Sequence, residues 1–313
     1  MKFGRNRPLA RGFRFKFASY ALAALPTAPA TCNFAVKLAL AILADIMGND
    51  TRGNCTCAAI YHYIGVVTAN VGAAFHATLQ QVIALYEKVG GYNPNDPSTD
   101  QGADEVTVLN YCVENPLADG TKALGWLEID GDNIDEIKSA INLFEGALLT
   151  LELPQTYTNP FPSGDGFTWD VGTPDPNQGH AIMVTGYDSV GVQICTWGML
   201  GTMTWAALTS LCTARAGGGI YVLLTPDMIA KASAKAPNGF DWAALVADFD
   251  SMGGTVPIPP PPAPTPAPPG TVVTLAQATA WAVGGLARGR PLTTRQTAEQ
   301  LVTAALAAAW PKS

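Results

Sequence analysis

Cys55 is the residue of this chain best placed to do chemistry. It follows Asn49-Asp-Thr-Arg-Gly-Asn and precedes Cys57-Ala-Ala-Ile-Tyr-His62-Tyr-Ile64, whose apolar density predicts a buried helix. A thiol at the start of a helix meets the positive end of the dipole and first-turn N–H groups that lack partners. Both favour the thiolate, the reactive form of cysteine. Such a nucleophile also needs a base for its proton, a group that orients the base, and donors for the oxyanion that develops on a carbonyl. The chain offers three histidines. His62 stands further along the same helix, ~10 Å away and beyond direct hydrogen-bond reach. His76 falls in the loop before the next helix. His180 opens a strand after a long loop, where a side chain is presented on a rigid edge.

The His180 strand reads as half of a hairpin. His180-Ala-Ile-Met-Val-Thr-Gly-Tyr187, the turn Asp188-Ser-Val-Gly191, and Val192-Gln-Ile-Cys195-Thr-Trp197-Gly198 alternate and turn as a β-hairpin does. With pairing closed at Tyr187 and Val192, His180, Cys195 and Trp197 are expected on one face. A one-residue slip substitutes Thr196 for Cys195.

Other elements must hold this pair in place. Asn33 to Ile46 is strongly apolar and reads as helix or strand. Thr78-Leu-Gln-Gln81 is a capping box for a helix that ends at Gly90-Gly91, and a further helix puts Val106, Leu109 and Val113 on one side. Beyond Pro116 strands appear: Leu124 to Ile129, then a helix capped at Asn133-Ile-Asp-Glu136 and running to about Phe144, then a buried strand over Gly146 to Pro154. Residues 155–179 form a loop rich in Pro, Gly and Asp, long enough to expect a function for it, since loops above ~15 residues are uncommon in compact domains. A capped helix over Thr204 to Cys212, a strand over Gly219 to Leu224 and a helical segment from Pro226 to about Phe249 complete the body.

Composition bounds the function. With 313 residues and 48% hydrophobic content the chain can build a substantial core. The net charge is −7 although Lys2, Arg5, Arg7, Arg11, Arg14 and Lys16 all precede the first acid, Asp45. The body is therefore more acidic than the total suggests. This argues against specific nucleic-acid binding and leaves the basic arm as a solvated tail, or as a contact for an anionic surface. The arm is expected to lie extended across the surface of the body. No apolar run reaches the ~20 residues of a membrane span. Residues 1–30 imitate a secretory signal, but Ser19 and Tyr20 interrupt a short apolar stretch, so secretion is the lesser expectation. The six cysteines show neither disulfide-dense nor zinc-like spacing, so reduced thiols and no metal or other cofactor are expected. Pro257 to Pro269 is a semi-rigid polyproline spacer, and 271–313 carries two capping patterns on Ala-rich helices too poor in large apolar groups to stand alone.

These residues together resemble the papain-like cysteine peptidases, from about residue 25 to 225. In that family a Gln six residues before the nucleophilic Cys helps form the oxyanion hole. A His-Ala-Val strand returns beyond mid-chain, and an Asn-Ser-Trp-Gly strand orients and shields the His. Here Asn49 stands six before Cys55, His180-Ala-Ile-Met resembles the His strand, and Cys195-Thr-Trp197-Gly198 occupies the place of Asn-Ser-Trp-Gly. Leu25-Pro26 to Phe34 resembles the start of the mature chain. The Gly-Asn-Cys and Thr-Trp-Gly variants are similar to divergent papain-like proteins of tailed bacteriophages and prophages, which would place the chain in a host cytoplasm or a virion. The spacing from Asn49 prefers Cys55 over Cys57 as nucleophile. Three departures stand out: Asn49 carries the amide on a shorter stem, Cys195 is a poor acceptor where an amide is usual, and Thr196 can take that role if the register slips.

The resemblance implies an α+β body of two lobes, a helical lobe carrying Cys55 and an antiparallel β lobe carrying His180. The expected division is a basic arm over 1–24, the peptidase body over 25–252, a Pro-rich linker over 253–270 and a helical appendage over 271–313. The activity implied is hydrolysis of peptide bonds in a peptide or protein substrate through Cys55 and His180, with Asn49 at the oxyanion and Cys195 or Thr196 behind the imidazole. Two other readings stand beside it: a weakened papain-like scaffold that joins a virion, or itself, through 271–313, and a hydrolase of peptidoglycan cross-bridges.

Overall fold

A computed structural model of the chain describes residues 2–7, 15–20, 27–70, 72–225 and 244. The chain divides into a unit spanning Met1–Pro259 and a second spanning Pro260–Ser313. The second unit and the expected spacer lie outside the described residues. So does the expected helical segment after Pro226, apart from residue 244.

In chain order the elements are β1 (Arg5–Asn6), β2 (Phe15–Lys16), β3 (Cys32–Asn33), α1 (Lys37–Leu43), α2 (Cys55–Asn70), α3 (Leu79–Gly90), β4 (Ala103–Asp104), α4 (Glu105–Glu114), β5 (Gly125–Ile129) and α5 (Ile134–Phe144). They continue with β6 (Ala147–Glu152), β7 (Phe167–Trp169), β8 (Gly179–Tyr187), β9 (Gly191–Thr196), β10 (Met199–Thr204), α6 (Trp205–Leu211) and β11 (Gly219–Leu224). The large sheet runs β2-β5-β11-β6-β8-β9-β10-β7, and β3 pairs with the far end of β8. Its central ladders are antiparallel, as expected of the β lobe. The β2–β5 and β7–β10 pairs at its margins are parallel, which makes the sheet mixed. Strand β7 lies inside the stretch read from sequence as a loop. Three residues bounded by turn formers give too short a period-2 signal to be legible.

Local chemistry explains the boundaries. Thr78 caps α3 with the full reciprocal box, its hydroxyl accepting from the Gln81 N–H while Gln81 Oε1 accepts from the Thr78 N–H at 2.8 Å. Asn133 and Thr204 cap α5 and α6 in the same manner, accepting from the backbone N–H groups of Glu136 and Ala207.

Helix α2 is the centre of the packing. Fourteen of its sixteen residues are buried, consistent with a sequence apolar all round, and it lies against β8. Tyr63 anchors it by donating to the carbonyls of Phe144 and Leu223, at 3.1 and 3.3 Å. No helix among the described residues is long and apolar enough to cross a membrane.

The basic arm differs most from expectation. Phe17 is fully buried, Phe15 and Lys16 pair with β5, and Arg5–Asn6 pair with β4, so residues 2–7 and 15–20 are built into the body rather than laid across it as a solvated tail. The arm interleaves its cations with Phe3, Phe15, Phe17 and Tyr20, and burying those rings outweighs the solvation of the charges between them.

The loop before α2 is held by one buried network. Asp100 Oδ1 accepts from the Gly53 N–H at 2.9 Å and from the Tyr86 hydroxyl at 2.7 Å, and that hydroxyl accepts from the Gly102 N–H at 2.7 Å. Tyr86→Phe leaves the Gly102 donor and one carboxylate lone pair unmatched. It is expected to lower stability by about 1–3 kcal/mol in urea unfolding; a change below half a kcal/mol would mean that the network does not hold the loop.

Candidate active site

Cys55 opens α2, 1% exposed, and the N–H groups of Ala181, Gly4 and Thr56 act on its sulfur. Ala181 follows His180 on β8, so the packing of α2 on β8 sets the thiol against the strand that carries the imidazole. The His180 ring is fully buried. Its Nε2 lies 2.7 Å from Thr196 Oγ1, and its Nδ1 has no hydrogen-bond partner among the described residues. Cys55, Thr196, Asn49, His62 and Trp197 line one cavity of about 10 Å³, the room of roughly one water.

Thr196 reaches His180 because the hairpin carries a bulge. Tyr187 pairs with Val192 and Gly186 with Gln193, but Val184 pairs with Ile194 and Met183 with Cys195, so Thr185 is the extra residue. An extra residue in one strand moves every later pair by one and exchanges the faces. Cys195, expected beside His180, points the other way, its thiol donating to Leu43 O at 3.2 Å and standing 4.0 Å from His62 Nδ1.

Trp197 stays over the imidazole, stacked at 4.4 Å and 20°. It does so in the turn between β9 and β10, where Thr196 pairs with Met199 and both intervening residues have positive φ, +50° at Trp197 and +72° at Gly198. That is the pattern of a type I′ turn, and the left-handed conformation costs a tryptophan ~1–2 kcal/mol. Phe161 and Trp169, from the long 155–179 stretch, complete an aromatic roof over Trp197.

The other candidates have partners of their own. Asn49 is buried with its Nδ2 3.3 Å from Arg52 O and 3.4 Å from Asn54 Oδ1, on the cavity it shares with Cys55. Cys57, fully buried, meets Thr56 and is influenced by Cys112 and Glu105. His62 meets the Asp45 carbonyl at 2.9 Å, and His76 pairs with the Asp45 carboxylate at 2.8 Å in the open.

Residues that the sequence did not single out fill the cleft: Phe3, Gly4 and Arg5. Gly4 lies so close to Gly53 that a Cβ would overlap the Gly53 carbonyl, and its own carbonyl accepts from the Ala103 N–H at 2.7 Å. Phe3 meets the His180 and Trp197 rings edge-on at 6.3 and 6.4 Å. Burial of the site reverses the expected electrostatics. Burial pushes the Cys55 thiol up to about 11, against the N–H groups that favour the thiolate, and pushes His180 down to about 3. Thiol and imidazole are both neutral in the closed cleft.

The fold has known counterparts. The chain is similar to xylellain, a cysteine protease from Xylella fastidiosa, with a TM-score of 0.54 and 14% identity over 71% of this chain and 96% of that one. Digestive procathepsin L 3 of the Tenebrio molitor larval midgut gives 0.49 and 13%, over 70% and 76%. No family model matches the chain, and no curated protein sequence matches it. At such identities the likeness is one of fold, and the fold is the papain-like α+β architecture.

Two outcomes follow from the closed site. Replacing Gly4 with Ala forces the arm off Gly53, so iodoacetamide is expected to modify Cys55 at pH 8 about tenfold faster or more than in the parent chain, as read by mass spectrometry. Equal rates would mean the arm does not shield the thiol. His180 stays neutral when folded down to about pH 3, whereas an unfolded histidine protonates near 6.5, so its contribution is complete above 6.5 and is lost as pH falls. A His180→Gln chain is expected to lose less stability between pH 6.5 and 4 than the parent in thermal melts, and an unchanged pH slope would contradict this.

Proposed function

We propose that the chain is a thiol hydrolase that cleaves peptide bonds through Cys55 and His180. The observation that supports this is the His180 ring: Nε2 is held by Thr196 and Nδ1 is buried and unpartnered among the described residues, on the strand whose next residue, Ala181, offers its N–H to the Cys55 sulfur. With Nε2–H donating to Thr196 Oγ1, Nδ1 is the acceptor for the thiol proton. The thiolate attacks the carbonyl carbon of a substrate admitted by movement of the arm. The oxyanion is met by the Cys55 N–H and the Asn49 amide, and collapse expels the amine with the proton held on Nδ1. Water, deprotonated by His180, then hydrolyses the thioester. Thr196 is the positioning residue, and Trp197 keeps solvent from the bond it makes.

The reading as a scaffold that works through 271–313 turns on residues outside those described. The described cleft, with a buried Cys and an amide on one cavity and a His held by Thr196 of its wall, favours the hydrolase, and nothing in it distinguishes a protein from a peptidoglycan cross-bridge.

Cleavage of a fluorogenic peptide by the Gly4→Ala chain tests the proposal. Adding Cys55→Ala or His180→Ala is expected to abolish turnover, and Thr196→Val to lower kcat by about 10²-fold, the low end of what a positioned base contributes. Asn49→Ala should lower it by ~10²–10³-fold. Turnover that survives Cys55→Ala but not Cys57→Ala would overturn the assignment.

A further inference from the structure

The arm's place in the cleft carries a second kind of information. Two of its cations pair with carboxyl groups that belong to the walls, and a third acts on another at longer range. Lys2 Nζ is 2.6 Å from Asp100 Oδ2, and Arg7 is 2.6 Å from Glu152 Oε1. Arg5 stands opposite Ala103 in the β1–β4 pair, where β4 leads directly into Glu105 at the start of α4, and acts electrostatically on that carboxyl. The guanidinium of Arg5 is itself buried, donating to Gly217 O at 2.5 Å. The carboxyl groups come from both sides of the cleft: the loop before β4, the start of α4 and the end of β6.

Burial distinguishes wall from occupant. The Asp100 and Glu152 side chains are 7% and 6% exposed, whereas those of Lys2 and Arg7 are 41% and 63% exposed. Glu105 is completely buried, and neither of its oxygens has a hydrogen-bond partner among the described residues. A buried carboxyl with both oxygens unsatisfied is costly to keep unless something of opposite charge answers it. Here the answering group is supplied by a segment that must leave for the cleft to open.

We propose that the cleft recognises basic peptide segments, with Asp100, Glu105 and Glu152 reading cationic side chains spaced as Lys2, Arg5 and Arg7 are, and that the arm is the chain's own occupant of that groove. The proposal rests on the hydrolase reading for its consequence, the substrate class, but the recognition itself needs no catalysis. Burial pushes the Glu105 carboxyl up to about 8 and the Arg5 cation pulls it down, so a cation in the place of Arg5 favours the ionised form. Gly4 adds a steric term: a residue passing Gly53 must lack a Cβ, or the backbone must sit further out.

Fluorescence anisotropy with the full-length Gly4→Ala chain tests this. The probe is the labelled peptide Lys-Phe-Gly-Arg-Asn-Arg, compared with an analogue in which norleucine replaces all three basic residues. The basic peptide is expected to bind about tenfold tighter or more, weakening as salt is raised, and the parent chain to bind it far less than Gly4→Ala does. Glu105→Gln, nearly isosteric, and separately Glu152→Gln, at the far end of the groove, should each reduce the preference by several-fold. Equal binding of the two peptides, a preference untouched by both substitutions, or equal binding by the parent chain would overturn the proposal. A chain that binds the basic peptide selectively and cleaves nothing would instead refute the hydrolase reading alone.

Discussion

The packing of α2 on β8 is the contact on which the site depends. One helix, buried on nearly every side, begins at Cys55 against the strand that carries His180, with the Ala181 N–H of that strand at the Cys55 sulfur. That burial is a hydrophobic effect between apolar faces, with no polar bond needed to drive it. Its cost falls on the two titratable groups, because the environment that aligns them also removes the water that would solvate their charged forms. The helix dipole favours a thiolate at Cys55, yet desolvation outweighs it.

The arm therefore does two things with one geometry. Its backbone and Phe3 fill the space over Cys55 and His180, and its cations neutralise carboxyl groups that the cleft walls hold out of water. A basic plug among the carboxyl groups of the cleft walls gives Lys2, Arg5 and Arg7, three of the six cations of this acid-free stretch, partners or influence within the fold. Charge segregation of this kind, seen from sequence, suggested a tail in solvent. In the fold it is complementarity between two parts of one molecule.

Much of the fold was legible because its signals are local. The capping residues Thr78, Asn133 and Thr204, the turn at Asp188–Gly191 and the apolar run after Cys55 each act over a few residues, and each produced the element expected of it. The features that escaped are those settled by packing between distant segments. The bulge at Thr185 is one residue in a strand of otherwise regular alternation, and it decides that Thr196 rather than Cys195 stands at His180. The Gly4–Gly53 approach joins residues some fifty positions apart, and nothing in either short stretch announces the other. The direction of the Cys55 shift followed the same pattern: the local rule pointed to thiolate, and tertiary burial reversed it.

The proposed function rests on a Cys55–His180 pair that exchanges a proton once the cleft opens. The most direct measurement is the site and pH dependence of labelling by a peptidyl epoxide in the Gly4→Ala chain, with tandem mass spectrometry locating the adduct. The expected result is a single adduct on Cys55, formed at neutral pH and lost when His180 is replaced by Ala. An adduct on Cys57 or Cys195, or one on Cys55 that forms equally well without His180, would contradict it.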